Sequence, residues 1–71
     1  MLKPTDAELE ILQILWDKGP TSVREVNTTL NESRPVGYTT TLKLMQIMTD
    51  KALVHRDTSQ RTHVYHASIQ R

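Results

Sequence analysis

The chain has 71 residues, no cysteine, 24% charged residues and a formal net charge of +1. A chain of this length forms one small domain and leaves little room for a deep catalytic cleft. The missing cysteines exclude disulfides and thiolate metal sites, and no apolar run is long enough for a signal peptide or a membrane span. We therefore expect a cytoplasmic protein that has no cofactor, does not contact membranes and is not an enzyme.

The charged residues are unevenly distributed along the chain. Residues 1–32 carry three basic and six acidic side chains, whereas residues 33–71 carry six basic and two acidic ones. Such asymmetry indicates a polyanionic partner, for which the second half would supply the contact surface. A chance distribution of the charges is the alternative.

The first predicted element is a helix over residues 6–18. Thr5 and Glu8 have the spacing of a capping box, in which each side chain satisfies a backbone donor at the helix start. Apolar residues then recur at helical spacing from Leu9 to Trp16, and this stripe is expected to be buried. Gly19 and the proline after it end the helix.

A second, shorter helix is predicted over residues 23–32. Ser22 and Glu25 repeat the capping-box spacing at its start. Residues 20–22 are candidates for a very short strand. Residues 31–37 then form a loop that contains an Arg-Pro pair.

The third helix is predicted over residues 38–51 and has two distinct faces. At 100° per residue, the core face contains Thr41, Leu44, Met45 and Met48. The opposite, exposed face contains Thr39, Leu42, Lys43 and Gln46.

An antiparallel hairpin is predicted to follow, with strands over residues 53–57 and 61–67 and a turn at residues 58–60. The fold class is therefore mainly α with a small β-hairpin. Three helices followed by a two- or three-stranded antiparallel wing make a winged helix-turn-helix.

The exposed face of the third helix has the chemistry of a DNA reader. The major groove of B-DNA is about 12 Å wide and accepts one α-helix. Thr39 and Thr40 can bond base edges or phosphates, Lys43 can reach guanine or a phosphate, and Gln46 can pair with adenine. The alternatives are that the threonines cap the helix and that Lys43 and Gln46 are ordinary solvated residues.

Further candidate DNA contacts flank this helix. Tyr38 is placed to bond a phosphate or to pack at the edge of the core, and Arg61 at the hairpin tip is placed for the backbone or a minor groove. Leu42 is an apolar residue on the predicted exposed face, so it is expected to contact thymine methyl groups or a partner protein. The complete set of candidate DNA contacts is Ser22, Tyr38, Thr39, Thr40, Leu42, Lys43, Gln46, Lys51, Arg56 and Arg61.

Two alternatives to DNA binding would use other properties of the same residues. A winged-helix protein-interaction module would use Leu42 and Ile47 as an apolar contact. A metal site would need the hairpin histidines, but His63 and His66 fall on opposite strand faces, so no metal site is predicted.

The chain resembles the penicillinase-repressor family, the BlaI/MecI/CopY group of bacterial regulators. The resemblance covers nearly the whole chain. Its motifs are TDAELEIL at residues 5–12, Leu15-Trp16, TSVREV at 21–26, GYTTTLKLM at 37–45, KALV at 51–54 and RTHVYHA at 61–67. The tryptophan after an apolar run and the Tyr-Thr-Thr start of the third helix are its most specific parts.

The resemblance implies a dimeric repressor that binds a palindromic double-stranded DNA operator through its third helix. Members of the family control β-lactamase and related resistance genes or copper homeostasis, in some cases through a membrane-bound sensor protease. Residues 1–71 then correspond to the winged-helix DNA-binding domain. The C-terminal part that carries homodimerisation in the family lies beyond this sequence.

Overall fold

A computed structural model describes residues 3–59, 61 and 63–70 of the chain. Its elements, in chain order, are α1 (Asp6–Lys18), α2 (Val23–Asn31), α3 (Tyr38–Asp50), β1 (Val54–Asp57) and β2 (Val64–Ala67). The predicted class, mainly helical with a small hairpin, is confirmed. None of the helices in the described ranges combines the length and the apolar character that crossing a bilayer requires.

The start of α1 is the predicted capping box. Glu8 N donates to Thr5 Oγ1 at 3.2 Å, and Thr5 N donates to Glu8 Oε1 at 2.9 Å. Gly19 ends the helix with φ of +78°, a conformation that glycine adopts without the steric cost of a Cβ. The predicted burial of Leu9 is wrong, since Leu9 is 36% exposed while Glu8, one residue earlier, is only 2% exposed.

One hydrophobic core joins the three helices and the hairpin. Met45 and Met48 of α3 are fully buried, and Tyr65 of β2 is 3% exposed. The rest of the buried core consists of Ile11, Leu12, Leu15, Val23, Val26, Leu30, Leu53 and Val54. Because every element contributes to this one cluster, the orientation of α3 depends on all of its neighbours.

The faces of α3 differ from the predicted division at two leucines. Thr41, Met45 and Met48 are buried as predicted, whereas Leu44 is only half-buried. Leu42 was predicted on the exposed face, but it is half-buried and packs against the core. The reason is its position on the flank of α3, where the second helix and the hairpin reach it.

The hairpin is shorter on its second strand than predicted. The register runs from Val54 opposite Ala67 to Asp57 opposite Val64, so Arg61 and His63 lie in the connection between the strands. The predicted turn includes residue 60, which lies outside the described residues. β-Propensity alone does not specify where cross-strand pairing begins, because pairing depends on the partner strand.

The very short strand predicted at residues 20–22 is present as a single antiparallel bridge. Thr21 N donates to Tyr65 O at 3.1 Å, and Tyr65 N donates to Thr21 O at 2.9 Å. This bridge joins the start of α2 to the wing, by which we mean β1, β2 and their connection. The wing therefore has two strands with a one-residue attachment to the helical part.

Candidate nucleic-acid interface

One side of α3 presents a continuous polar stripe to solvent. Thr39, Lys43, Gln46 and Asp50 recur every three or four residues and are all exposed. Asp50 places a negative charge at the C-terminal end of the stripe, where it would repel phosphates. The N-terminal two turns are therefore the part of α3 suited to approach a polyanion.

The threonine hydroxyls at the start of α3 are not used to cap it. Gly37 is the N-cap residue, and no side chain makes a capping hydrogen bond there. Thr39 and Thr40 are exposed, while the Thr41 hydroxyl points inward and donates to Gly37 O at 3.4 Å. The capping alternative is thus wrong for Thr39 and Thr40, whose side chains face solvent.

Two asparagines of α2 hold the segment that leads into α3. Asn27 Nδ2 donates to Val36 O and to Thr41 Oγ1, both at 2.9 Å. Asn31 Nδ2 donates to the same Val36 carbonyl at 2.8 Å, and its Oδ1 accepts from Val36 N at 3.1 Å. Because Thr41 is fully buried, these bonds connect the angle between α2 and α3 to the core.

A concave groove lies between the start of α2, one flank of α3 and the wing. Its volume is about 520 Å³. We call it the arginine groove, because three arginines and one histidine line it. The lining residues are Ser22, Val23, Arg24, Tyr38, Leu42, Arg56, Arg61, His63 and Tyr65.

The arginine groove brings together half of the predicted site and adds residues that were not predicted. Ser22, Tyr38, Leu42, Arg56 and Arg61 are sequence-predicted residues that line it. The Thr21–Tyr65 bridge holds the wing beside the start of α2, and α3 contributes Tyr38 and Leu42.

Arg24 and His63 were missed as members of this site. Arg24 belongs to the acidic first half of the chain, which the charge distribution does not indicate as a contact surface. A usable signal was present, because Arg24 follows the N-cap residue of a helix by two positions, where cations are unusual.

Four of the five remaining predicted residues lie on α3 outside the groove. Thr39, Lys43 and Gln46 belong to the exposed stripe, and Thr40 lies on the other flank of α3 beside Leu44. The site therefore has two parts, a polar helix face and a cationic groove next to it.

Several cations of the second half are already paired with carboxylates. Arg34 Nη1 lies 2.8 Å from Glu10 Oε2, and this hydrogen bond and charge lower the pKa of the Glu10 carboxyl. Lys51 Nζ lies 3.0 and 3.1 Å from the two carboxylate oxygens of Glu8. Among the described residues, no such ion pair engages Arg24, Lys43, Arg56 or Arg61.

Lys51 stands apart from the other predicted contacts. Its ammonium joins the C-terminal end of α3 to the buried Glu8 of α1, and its side chain is 26% exposed. Burial raises the pKa of Glu8. The hydrogen bond from Thr5 N and the contacts with Lys51 together lower it by more, so the pKa lies below its ordinary value of 4.5. This pair gives Lys51 a structural role, and a DNA contact by Lys51 stays a prediction.

Leu42 and Tyr38 border the groove in different ways. Tyr38 is 50% exposed, so it is not a core residue, and its hydroxyl is available to a ligand at the groove. Leu42 forms part of the apolar wall together with the buried Val23 and Tyr65. Leu42 packs on the core and is half-buried, so only part of its side chain is exposed at the groove.

The histidines of the wing are divided between its two faces, as predicted for His63 and His66. His63 faces the arginine groove, whereas His55 and His66 stack on the other face with ring centroids 4.8 Å apart. Asp57 lies on that same outer face, 3.7 Å from His66 Nε2, and hydrogen bonds from Ser59 lower its pKa. No group of three potential metal ligands occurs among the described residues.

Three helices, an antiparallel wing and a solvent-facing polar third helix define a winged helix-turn-helix protein. Within this class, the chain belongs to the penicillinase repressor family, whose model matches residues 4–71. The members of this family are DNA-binding transcriptional repressors, not enzymes. No curated protein matches the chain.

Proposed function

We propose that the protein represses transcription by placing α3 in the major groove of an operator, with the wing against the DNA backbone. The observation that carries this proposal is the exposed polar stripe of α3, together with the exposed Thr39 and Thr40 hydroxyls that are not used in capping. The arginine groove beside the stripe supports it, because a DNA backbone runs along both edges of the major groove. Membership of a repressor family agrees with the same function.

The residues of the stripe, and Thr40 on the adjacent flank of α3, each have a definite role in this proposal. The hydroxyls of Thr39 and Thr40 bond base edges at the entry point, and their methyl groups contact thymine methyls. Lys43, one turn further, donates to guanine O6 and N7 or to a phosphate. Gln46 makes a paired donor and acceptor contact with adenine. Asp50 keeps the end of the helix away from the phosphates.

We further propose that two copies read a palindromic operator. Only the N-terminal two turns of the stripe are suited to approach DNA, so one copy contacts few base pairs, and a second half-site multiplies both affinity and specificity. The family name points to penicillinase or related resistance genes as the targets. A sensor protease that ends repression belongs to this same proposed circuit.

The test begins with selection of bound duplexes from a randomised library, because the operator is unidentified. Fluorescence anisotropy of the enriched and a scrambled duplex, over a salt series, then measures affinity and specificity. We expect the enriched duplex to bind more tightly at every salt concentration, and both affinities to fall steeply with salt.

Matched variants then locate the reader. Lys43→Ala and Thr40→Ala should each weaken binding to the enriched duplex about tenfold and reduce its advantage over the scrambled one. Lys18→Ala removes the same charge from the surface that α1 and α2 form, where Lys18 Nζ donates to Thr29, and should leave specificity unchanged. Retained affinity and preference in the double variant of Lys43 and Thr40 would refute α3 as the reader.

A further inference from the structure

The arginine groove has the properties of a discrete oxyanion site. It is concave, its volume of about 520 Å³ is in the range of small-ligand sites, and Arg24, Arg56 and Arg61 line it together. Guanidinium groups bind phosphate oxygens through paired hydrogen bonds, which is geometry that an ammonium lacks. Three arginines around one cavity supply enough donors for the several oxygens of a single phosphate.

The electrostatic surroundings strengthen this match. No carboxylate lines the groove among the described residues. Asp57, the one acidic residue between positions 54 and 67, lies on the outer face of the wing near Ser59 and His66. The apolar wall of Val23, Leu42 and Tyr65 lowers the local dielectric constant, so the field of the arginines is focused into the cavity.

The backbone at the start of α2 adds to the same field. Ser22 is the N-cap residue, and its side chain accepts from Glu25 N at 3.3 Å. This bond leaves the Ser22 hydroxyl proton available to a ligand oxygen, at the positive end of the helix dipole. The groove thus combines one arginine of α2, two arginines of the wing and the Ser22 hydroxyl.

We infer that the arginine groove is a phosphate-binding site that holds one backbone phosphodiester of bound DNA between α2 and the wing. The inference rests on the proposed function for its DNA ligand, and it assigns to Arg24 a contact that neither the family match nor the charge distribution indicated. The same chemistry accommodates inorganic phosphate when DNA is absent. Phosphate would then compete with DNA at this one site.

The first arm of the test uses a mixed-sequence duplex and a salt series. Arg24→Ala should raise the Kd about tenfold for all duplexes alike and lower the slope of log K against log salt by about 0.9, the value for one phosphate contact. Arg24→Lys should restore the slope but only part of the affinity, since it lacks the paired donors. Lys18→Ala is the charge-matched control.

The second arm uses inorganic phosphate at constant ionic strength, with sodium chloride reduced to compensate. The backbone amide signals of Val23 and Arg24 in NMR spectra should shift saturably for the wild-type chain and not for Arg24→Ala. Phosphate should also displace the duplex more effectively than chloride, and this excess should disappear in the variant.

The outcomes separate the two proposals. Equal slopes for Arg24→Ala and Lys18→Ala, with phosphate shifts spread over the whole surface, would overturn the groove assignment while leaving DNA binding intact. A wild-type chain that binds no duplex at low salt would overturn the proposed function and with it the DNA ligand of the groove, whereas a saturable phosphate shift that Arg24→Ala abolishes would still support a phosphate site there. Arg61→Ala provides a second exposed variant if Arg24→Ala does not fold.

Discussion

Replacing Glu8 should lower the free energy of unfolding through two identifiable interactions. It is 2% exposed, it accepts a hydrogen bond from Thr5 N in the capping box, and it pairs with Lys51 through both oxygens. Glu8→Ala removes both interactions at once. It therefore loosens the start of α1 and its connection to the end of α3.

The size of the effect follows from these two parts. Loss of a helix-capping interaction costs about 1 kcal/mol. Removing one partner of a fully buried ion pair costs about 3–5 kcal/mol, but Lys51 is 26% exposed and can turn to water, so about 1–2 kcal/mol is appropriate here. The total of about 2–3 kcal/mol lowers the Tm of a domain this small by roughly 10–20 °C.

Thermal unfolding followed by circular dichroism measures the change. The matched control is Glu10→Ala, because Glu10 lies two positions away in a pair with Arg34 whose side chains are 39% and 48% exposed. An exposed pair contributes about 0–1 kcal/mol, so the control should lose no more than a few degrees. Equal losses for the two variants would refute the reasoning.

Acid should remove the stabilisation that the Glu8 carboxylate provides. The pKa of Glu8 in the folded protein lies below its ordinary value of 4.5, so the unfolded chain takes up the proton first as the pH falls. The stabilisation from Glu8 is therefore complete above about pH 5 and is lost as the pH decreases through the folded pKa. Urea unfolding between pH 7 and pH 3 should show a smaller decrease in stability for Glu8→Ala than for the wild-type chain.

Two further substitutions test the connections around α3. Ala52 has φ of +62°, so Ala52→Gly should raise the unfolding free energy by up to about 1 kcal/mol, whereas the control Ala7→Gly, inside α1, should lower it by about 1 kcal/mol. Destabilisation by Ala52→Gly would contradict the positive φ. Asn27→Ala removes the bonds to the segment before α3 and to Thr41, so it should cost about 1–2 kcal/mol in urea unfolding and reduce DNA specificity. Thr28→Ala, an exposed neighbour, should do neither, and equal effects would exclude a positioning role for Asn27.

The helices were predictable from local sequence because their limits depend on nearby residues. Thr5 forms the predicted capping box of α1, Ser22 caps α2 through its side chain without the return bond from Glu25, and the ends of α2 and α3 differ from the prediction by one residue. Caps and breakers act within one helical turn, so a single sequence contains their whole signal. The same holds for the exposed stripe of α3, which helical periodicity alone places on one face.

The wing and the burial of single residues were less predictable. The start of β2 was placed three residues too early, because β-propensity is no guide to register. Leu9 and Leu42 were misassigned since helical periodicity identifies a face but not the neighbours that cover its edges. Burial of Glu8 could not be foreseen without knowing that Lys51 would lie against it.

The sequence by itself determined the order of elements, the winged helix-turn-helix class, the family and the polar face of α3. Each of these depends on residues a few positions apart or on motifs read along the chain. Only the tertiary structure decided that Arg24 joins Arg56 and Arg61 around one groove and that Lys51 is paired with Glu8. The physical reason is that these contacts connect residues distant in the chain, and their geometry is set by packing in the common core.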